Sequence, residues 1–67
     1  MDTQLVKERV REEREALTDR IKKLDAFIQS DAFDSLSLRT QALLHTQYST
    51  MMSYASVLLL RLENWED

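Results

Sequence analysis

The chain of 67 residues contains no glycine and no proline. Tight hairpin turns, phosphate-binding loops and β-bulges rely on glycine, because glycine adopts positive φ angles without a steric cost. A chain without glycine is therefore poorly suited to a β-sheet or a nucleotide-binding loop. We expect an all-α fold.

The length of the chain limits how much stability one molecule can gain. A sequence of 67 residues forms at most one small domain, which we expect to span residues 1–67. A single core of this size rarely contributes more than about 3–5 kcal/mol without disulfides, metals or association. Because the sequence has no cysteine, disulfides and cysteine-type zinc sites are excluded. Association is the remaining means of stabilisation, and the lack of cysteine fits a reducing compartment.

Charge is distributed unevenly along the chain. Residues 40–60 contain no Asp, Glu, Lys or Arg, although charged residues make up 31% of the sequence and 16 of the 21 lie before residue 35. A helix that pairs with one partner normally keeps a charged, solvated back. A helix without charge on any side has more than one face to bury, which predicts a homo-oligomer.

The spacing of apolar residues predicts two helices. We expect a first helix at residues 3–29, an elbow at 30–36 and a second helix at 37–63 that is capped by Ser35 or Ser37. The apolar positions that recur at helical intervals are Val6, Val10, Leu17, Ile21, Leu24 and Ile28 in the first helix, and Leu44, Tyr48, Met51, Ala55, Leu58 and Leu62 in the second. The short connection favours an antiparallel two-helix hairpin.

Antiparallel pairing sets which residues lie level with one another. Leu17 should lie near Met51, and Val10 near Leu58. A second row of small and soft residues then remains on helix two, spaced for close approach by another protomer in a homo-oligomeric helical bundle. The alternative is a half-exposed polar stripe in contact with water. The row comprises Leu38, Ala42, His45, Ser49, Met52, Ser56 and Leu59.

A polar face is the candidate functional site. Helix one carries Arg9, Glu13, Ala16, Arg20, Lys23 and Phe27 along one side, and helix two carries Gln47, Tyr54 and Arg61 seven residues apart. In an antiparallel hairpin, Tyr54 lies level with Glu13, so the two rows can converge. The predicted ligand-binding residues are Arg9, Arg20, Lys23, Gln47, Tyr54 and Arg61.

These residue types suit a small phosphorylated ligand. Arginine offers a planar fork of donors to phosphate, lysine offers a point charge, and tyrosine offers a flat surface with a hydroxyl on which a base can stack. The alternative is an ordinary solvated face on which Glu13 pairs with Arg9 or Arg20. Oligomerisation would favour a site, because cations from several protomers would surround one cleft.

Other kinds of function have less support. The sequence has no cysteine nucleophile, no glycine-rich loop and no local set of Ser, His and acid, so we expect no catalytic residues, no enzyme activity and no cofactor. His45 is the only imidazole and has no acidic neighbour, so we expect no metal site and interpret it as an interface or core residue. The net charge of −3 argues against DNA or RNA polymers, and the many polar residues within 40–60 argue against a membrane span.

One pattern extends over nearly the whole chain and resembles a known group of proteins. It comprises Arg9-Val10, Glu13, Leu17, Arg20-Ile21, Lys23-Leu24, Phe27-Ile28, Phe33, Leu36, Leu43-Leu44, Gln47, Met51, Tyr54, Leu58 and Arg61-Leu62. The pattern resembles small phage and prophage proteins of unassigned function, known from crAss-like and other tailed phages. The resemblance implies a phage accessory protein in the cytoplasm of the bacterial host. In architecture, the chain is also similar to the helical-hairpin sponges with which phages sequester cyclic nucleotide immune signals.

Two hypotheses of function follow from the residues and the resemblance. In the first, a phage anti-defence protein sequesters a small phosphorylated signal, a cyclic nucleotide, between protomers without cleaving it. In the second, a protein–protein inhibitor or adaptor docks on a host protein through helix two or through Trp65 near the C-terminus. Trp65 has an alternative role, in which it folds back on Leu5 and Val6 to close the hairpin.

Overall fold

The structure, a computed structural model, describes residues 3–65. It contains α1 (Thr3–Ile28), α2 (Asp31–Asp34) and α3 (Leu38–Glu63). No strand occurs within residues 3–65, and the predicted all-α class is confirmed. The first long helix ends at residue 28 rather than the predicted 29, and the second begins at residue 38 rather than the predicted 37.

The predicted elbow contains a helical turn of its own, α2. The Ser30 hydroxyl caps α2 by accepting a hydrogen bond from the backbone N–H of Phe33 at 3.4 Å. Of the two predicted caps for the second long helix, Ser37 is the residue used, because its hydroxyl accepts from the N–H of Thr40 at 3.2 Å. Ser35 instead donates its hydroxyl to the carbonyl of Ala32.

The elbow is held without any residue in a left-handed conformation. No residue from 3 to 65 has a positive φ, which explains how this connection forms without glycine. The side-chain amide of Gln41 donates to the carbonyl oxygens of Phe33 at 3.2 Å and Leu36 at 3.0 Å. The Phe33 carbonyl also accepts the backbone N–H of Leu36 at 3.0 Å, so Gln41 adds a side-chain bond to an oxygen that already has a backbone partner. The first turn of α3 is fixed to the elbow by these bonds.

The core between α1 and α3 is small. Leu58 of α3 is completely buried, and Val10, Leu17 and Ile21 of α1 are buried around it. The half-buried side chains that pack against this cluster are Tyr48, Met51, Ala55, Leu62 and Trp65. The predicted partners Val10 and Leu58 lie in this one cluster, as do Leu17 and Met51. Trp65 also packs against this cluster, while its predicted packing on Leu5 and Val6 stays a prediction.

A second, aromatic contact closes the elbow. Phe33 is buried, and its ring meets the rings of Phe27 and His45 edge-to-face, with centroids 6.3 and 5.3 Å apart. Edge-to-face packing places the positive rim of one ring against the negative face of another. His45 therefore has a packing role beside Phe33, although the residue as a whole remains exposed.

Much of the apolar surface of α3 is uncovered. Leu38 is 83% exposed, Leu43 61% and Leu60 55%. The accessible surface of 5212 Å² exceeds the roughly 4,400 Å² expected for a compact protein of this mass. The radius of gyration is 15.4 Å, against about 11 Å for a compact domain of this length. One chain thus forms an elongated body of 49 × 17 × 14 Å that leaves many of its large apolar residues exposed.

Candidate functional site

Tyr54 connects the two polar rows that the sequence places face to face. Its hydroxyl donates a hydrogen bond to Oε1 of Glu13, a residue 41 positions earlier in the chain. Glu13 lies in the middle of α1 and Tyr54 in the second half of α3, so this bond links the long helices beside the core. Tyr54 is 43% exposed, which leaves part of its ring open to solvent.

The charges around Tyr54 shift its acidity in opposite directions. The hydrogen bond to Glu13 raises the pKa of the phenol above its usual 10.0, with smaller contributions from desolvation and from the negative charge of Glu13. The positive charge of Arg61 acts to lower the same pKa. Arg61 is therefore near enough to act on the phenol electrostatically. Tyr54 remains neutral at physiological pH, with its proton directed at Glu13.

Arg61 also lines a hollow that the sequence did not predict. The hollow has a volume of about 570 Å³ and is bounded by Val57, Leu60, Arg61, Asn64 and Trp65. The apolar residues of its lining are the exposed Val57 and Leu60 together with Trp65, and Arg61 is the one charged residue of the lining. Pockets that bind small molecules commonly combine an apolar lining with a few polar groups in this way. The arrangement can accept a flat apolar group beside a negative charge.

Trp65 contributes an unsatisfied donor to this region. The indole Nε1 is shielded from solvent and has no hydrogen-bond partner within residues 3–65. Buried donors in proteins are normally paired, and an unpaired one costs about 1–3 kcal/mol. The neighbouring Asn64 donates its amide nitrogen to the carbonyl of Leu60 at 2.8 Å.

The other predicted site residues lie apart from Tyr54. Within residues 3–65, neither Arg9 nor Arg20 has a carboxylate at ion-pair distance, and both are exposed. Lys23 forms an exposed ion pair with Asp19, with Nζ 3.3 Å from Oδ2. The amide of Gln47 makes only a long contact to the sulfur of Met51, at 3.9 Å. The single chain thus brings together Glu13, Tyr54 and Arg61, and leaves these four residues on its surface.

Arg14 is a residue whose position the sequence interpretation missed. Arg14 stands between Val10 and Leu17 of the apolar stripe and continues it at spacings of 4 and 3. In the structure Arg14 is half-buried, and its Nε is shielded from solvent without a partner. The regular spacing was the signal that could have identified it. Arg14 lies on the opposite flank of the helix pair from Tyr54, as described below.

Two other kinds of site find no support in the described part of the chain. From Thr3 to Trp65, there is no cluster of three or more His, Cys, Asp or Glu side chains able to hold a metal ion. No helix in the same range is long and apolar enough to cross a membrane.

Comparison with known proteins assigns the chain to a family. No curated protein and no solved structure matches it. The sequence profile of the family called Sequestin matches residues 4–64, a range that includes almost all of α1 and the whole of α2 and α3. This match fits a sequestering, sponge-like protein, as the architectural resemblance to sponges implies. Because the matched range covers nearly the full length, the chain belongs to the Sequestin family.

Proposed function

We propose that this protein is a phage-encoded anti-defence protein that sequesters a small phosphorylated signal, a cyclic nucleotide, and holds it without cleaving it. The proposed unit is an antiparallel two-helix hairpin that assembles into a homo-oligomeric bundle in the cytoplasm of the bacterial host. The name of the family suggests sequestration of a ligand. The proposed ligand class, binding residues and assembly are argued from the geometry of the chain.

The observation that carries the proposal is the position of Arg61. Arg61 lines the open hollow together with Trp65, its charge acts on Tyr54, and it has no carboxylate at ion-pair distance within residues 3–65. An unpaired arginine is available to form a bidentate contact with a phosphate. The apolar wall and the exposed ring of Tyr54 offer a stacking surface for a base. A nucleotide requires this combination of a cation and a flat apolar surface.

The other predicted residues would act when protomers come together. Arg9, Arg20 and Lys23 are exposed on α1, where they are available to hold phosphates of a ligand bound between copies. Gln47 would recognise polar edges of the base, since within residues 3–65 its side-chain amide makes one long hydrogen bond, to a sulfur atom. Glu13 would orient the ring of Tyr54 rather than bind the anion, because its carboxylate accepts the phenolic proton.

Contacts and exposure support the proposed hairpin and its assembly. Glu13 meets Tyr54, and Val10, three residues before Glu13, packs in one cluster with Leu58, four residues after Tyr54, so earlier residues of α1 lie beside later residues of α3. This order is the one expected of antiparallel helices. Burying the exposed leucines of α3 against another copy would stabilise the assembly by about 25 cal/mol per Å² of apolar surface.

Ligand capture tests the proposal directly. Purified protein would be incubated with a panel of cyclic di- and trinucleotides and filtered, and the ligand left in the filtrate would be measured. We expect depletion of at least one member, with release of the intact nucleotide after denaturation. We expect Arg61→Gln and Tyr54→Ala to reduce depletion, whereas Arg39→Gln, which removes an exposed arginine near the other end of α3, should not. No depletion at micromolar concentrations would refute ligand capture, and recovery of an altered nucleotide would indicate an enzyme.

A protein partner is the second candidate, and the exposed leucines near the elbow favour it. Leu38 and Leu43 are the most exposed large apolar residues of α3 and lie close to its N-terminus. A host protein could cover this patch in a protein–protein inhibitor or adaptor. Recovery of one stoichiometric partner from bacterial lysate, lost in Leu38→Ser and Leu43→Ser but kept in Arg61→Gln, would support this alternative over nucleotide capture.

A further inference from the structure

A second groove lies between the long helices, on the flank opposite Tyr54. It has a volume of about 220 Å³, and α1 contributes the polar part of its lining while α3 contributes mainly apolar side chains. The residues that line it are Arg14, Thr18, Ile21 and Lys22 of α1 and Met52, Ala55, Ser56 and Leu59 of α3. None of these residues belongs to the hollow at Arg61.

Arg14 brings a half-buried cation with an unpaired donor to the groove. The Nε of its guanidinium is shielded from solvent without a hydrogen-bond partner within residues 3–65. The two terminal nitrogens are not among the shielded, unpaired atoms, and Arg14 is one of the residues that line the groove. A charged group that is half-buried and unpaired is unfavourable unless an opposite charge approaches it.

Lys22 places a second cation along the same line of α1. Arg14, Thr18 and Lys22 are spaced four residues apart, which aligns them along one side of the helix. Lys22 is exposed and has no ion-pair partner in the described chain. No Asp or Glu lines the groove, so its charge is purely positive.

The two hydroxyl groups that line the groove already donate their protons to backbone carbonyls and have none left for an anion. Thr18 donates its proton to the carbonyl of Arg14 at 2.8 Å, and Ser56 donates to the carbonyl of Met52 at 3.1 Å. An anion in the groove would therefore be held by Arg14 and Lys22. The aliphatic wall formed by Met52 and Leu59 would contact the apolar part of the same molecule.

We propose that this groove is a second anion-binding site, which takes a phosphate ester with a small body such as a pentose. A volume of about 220 Å³ is below the roughly 300 Å³ at which pockets for drug-sized ligands begin, so it suits a sugar phosphate better than a whole dinucleotide. Arg14 holds the phosphate with its guanidinium, and Lys22 adds charge at the open end. The proposal does not depend on nucleotide capture at Arg61, because the two cavities share no residue.

The test uses ribose 5-phosphate and the Nε–H resonance of Arg14 in a ¹⁵N-labelled protein. We expect saturable shifts of this resonance and of the amides of Thr18 and Ser56, and no such shifts with ribose. Lys22→Gln should weaken binding about tenfold, as expected for the loss of one charge-assisted contact. Arg14→Lys should also weaken it, because lysine keeps the charge but lacks the planar fork.

Two controls make the outcome decisive. Arg39→Gln removes one positive charge outside the groove and should leave the affinity unchanged. Arg61→Gln should also leave it unchanged, which separates this site from the proposed nucleotide site. If the Arg14 resonance does not move with millimolar ribose 5-phosphate, or if Lys22→Gln and Arg39→Gln weaken binding equally, the site does not exist. A response of Arg14 only to dilution of the protein would assign the groove to a carboxylate of a second copy and would also overturn the proposal.

Discussion

Replacing Leu58 by alanine should have the largest effect on stability of any single truncation in α3. Leu58 is 0% exposed, whereas Leu60, two residues later on the same helix, is 55% exposed. Removing three buried carbon groups costs about 2.4 kcal/mol at about 0.8 kcal/mol each. The cavity left behind raises the cost further, so we expect Leu58→Ala to destabilise the chain by about 3–4 kcal/mol.

This loss approaches the whole stability expected of one chain. A single core of this size contributes about 3–5 kcal/mol, so Leu58→Ala should leave the isolated chain close to its unfolding midpoint at 25 °C. At about 4–8 °C per kcal/mol, the fall in Tm is about 12–32 °C. Leu60→Ala makes the same chemical change at an exposed position, so it should change the stability of a single chain by no more than about 0.5 kcal/mol.

Thermal unfolding followed by circular dichroism at 222 nm would measure both variants at several protein concentrations. If another copy covers Leu60, the Tm of Leu60→Ala should fall below that of the parent at concentrations where the parent is assembled, and the difference should shrink on dilution. Leu58→Ala should be less stable at every concentration. Equal losses for the two variants under dilute conditions would refute the inference that the core centres on Leu58.

Three further predictions concern single contacts and the assembly. Glu13→Gln should lower the raised pKa of Tyr54 toward 10.0 in a spectrophotometric titration, whereas Glu12→Gln, the neighbouring exposed carboxylate, should leave it raised. The raised pKa favours the neutral phenol in the folded chain. The contact therefore stabilises the folded chain below pH 10.0, and this stabilisation is lost as the pH rises through the raised pKa. If Glu13→Gln leaves the stability of the folded chain unchanged in this pH range, the result would argue against the contact. Ser37→Ala should cost about 1 kcal/mol of stability through the lost cap of α3, and Ser53→Ala, an exposed mid-helix change, should cost less; equal effects would contradict the capping role. Light scattering coupled to size exclusion should give a multiple of 7.9 kDa, and a monomer at micromolar concentration would contradict the oligomer.

The long helices could be predicted from the sequence because their signals are local. Val10, Leu17 and Ile21 recur at helical spacing, and Ser37 offers its hydroxyl to the start of α3. Their ends were accordingly placed within one residue at the elbow. α2 was missed because four residues are too few to show a periodic pattern, and its identity depends on the cap at Ser30.

The candidate site was less predictable because it depends on packing between distant residues. An antiparallel register predicts that Tyr54 lies beside Glu13, and the hydrogen bond between the two residues agrees with that prediction. The hollow at Arg61 requires Trp65 to fold against the core, which no helical spacing specifies. Arg14 was overlooked because a charged side chain is expected to be exposed to solvent. Its position in the apolar stripe instead directs the aliphatic part of the side chain into the helix interface.

In the proposed assembly, stability and ligand capture depend on the same surface. The exposed apolar residues lie mainly on α3, so a second copy gains most by packing against that helix. The hollow at Arg61 includes the exposed α3 residues Val57 and Leu60, and an approaching subunit would enclose it. Enclosure excludes water and strengthens the attraction between a phosphate and the nearby guanidinium. An open hollow in one chain would thus become an enclosed site only after association, which accounts for how so short a chain could retain a small anion without a deep pocket of its own.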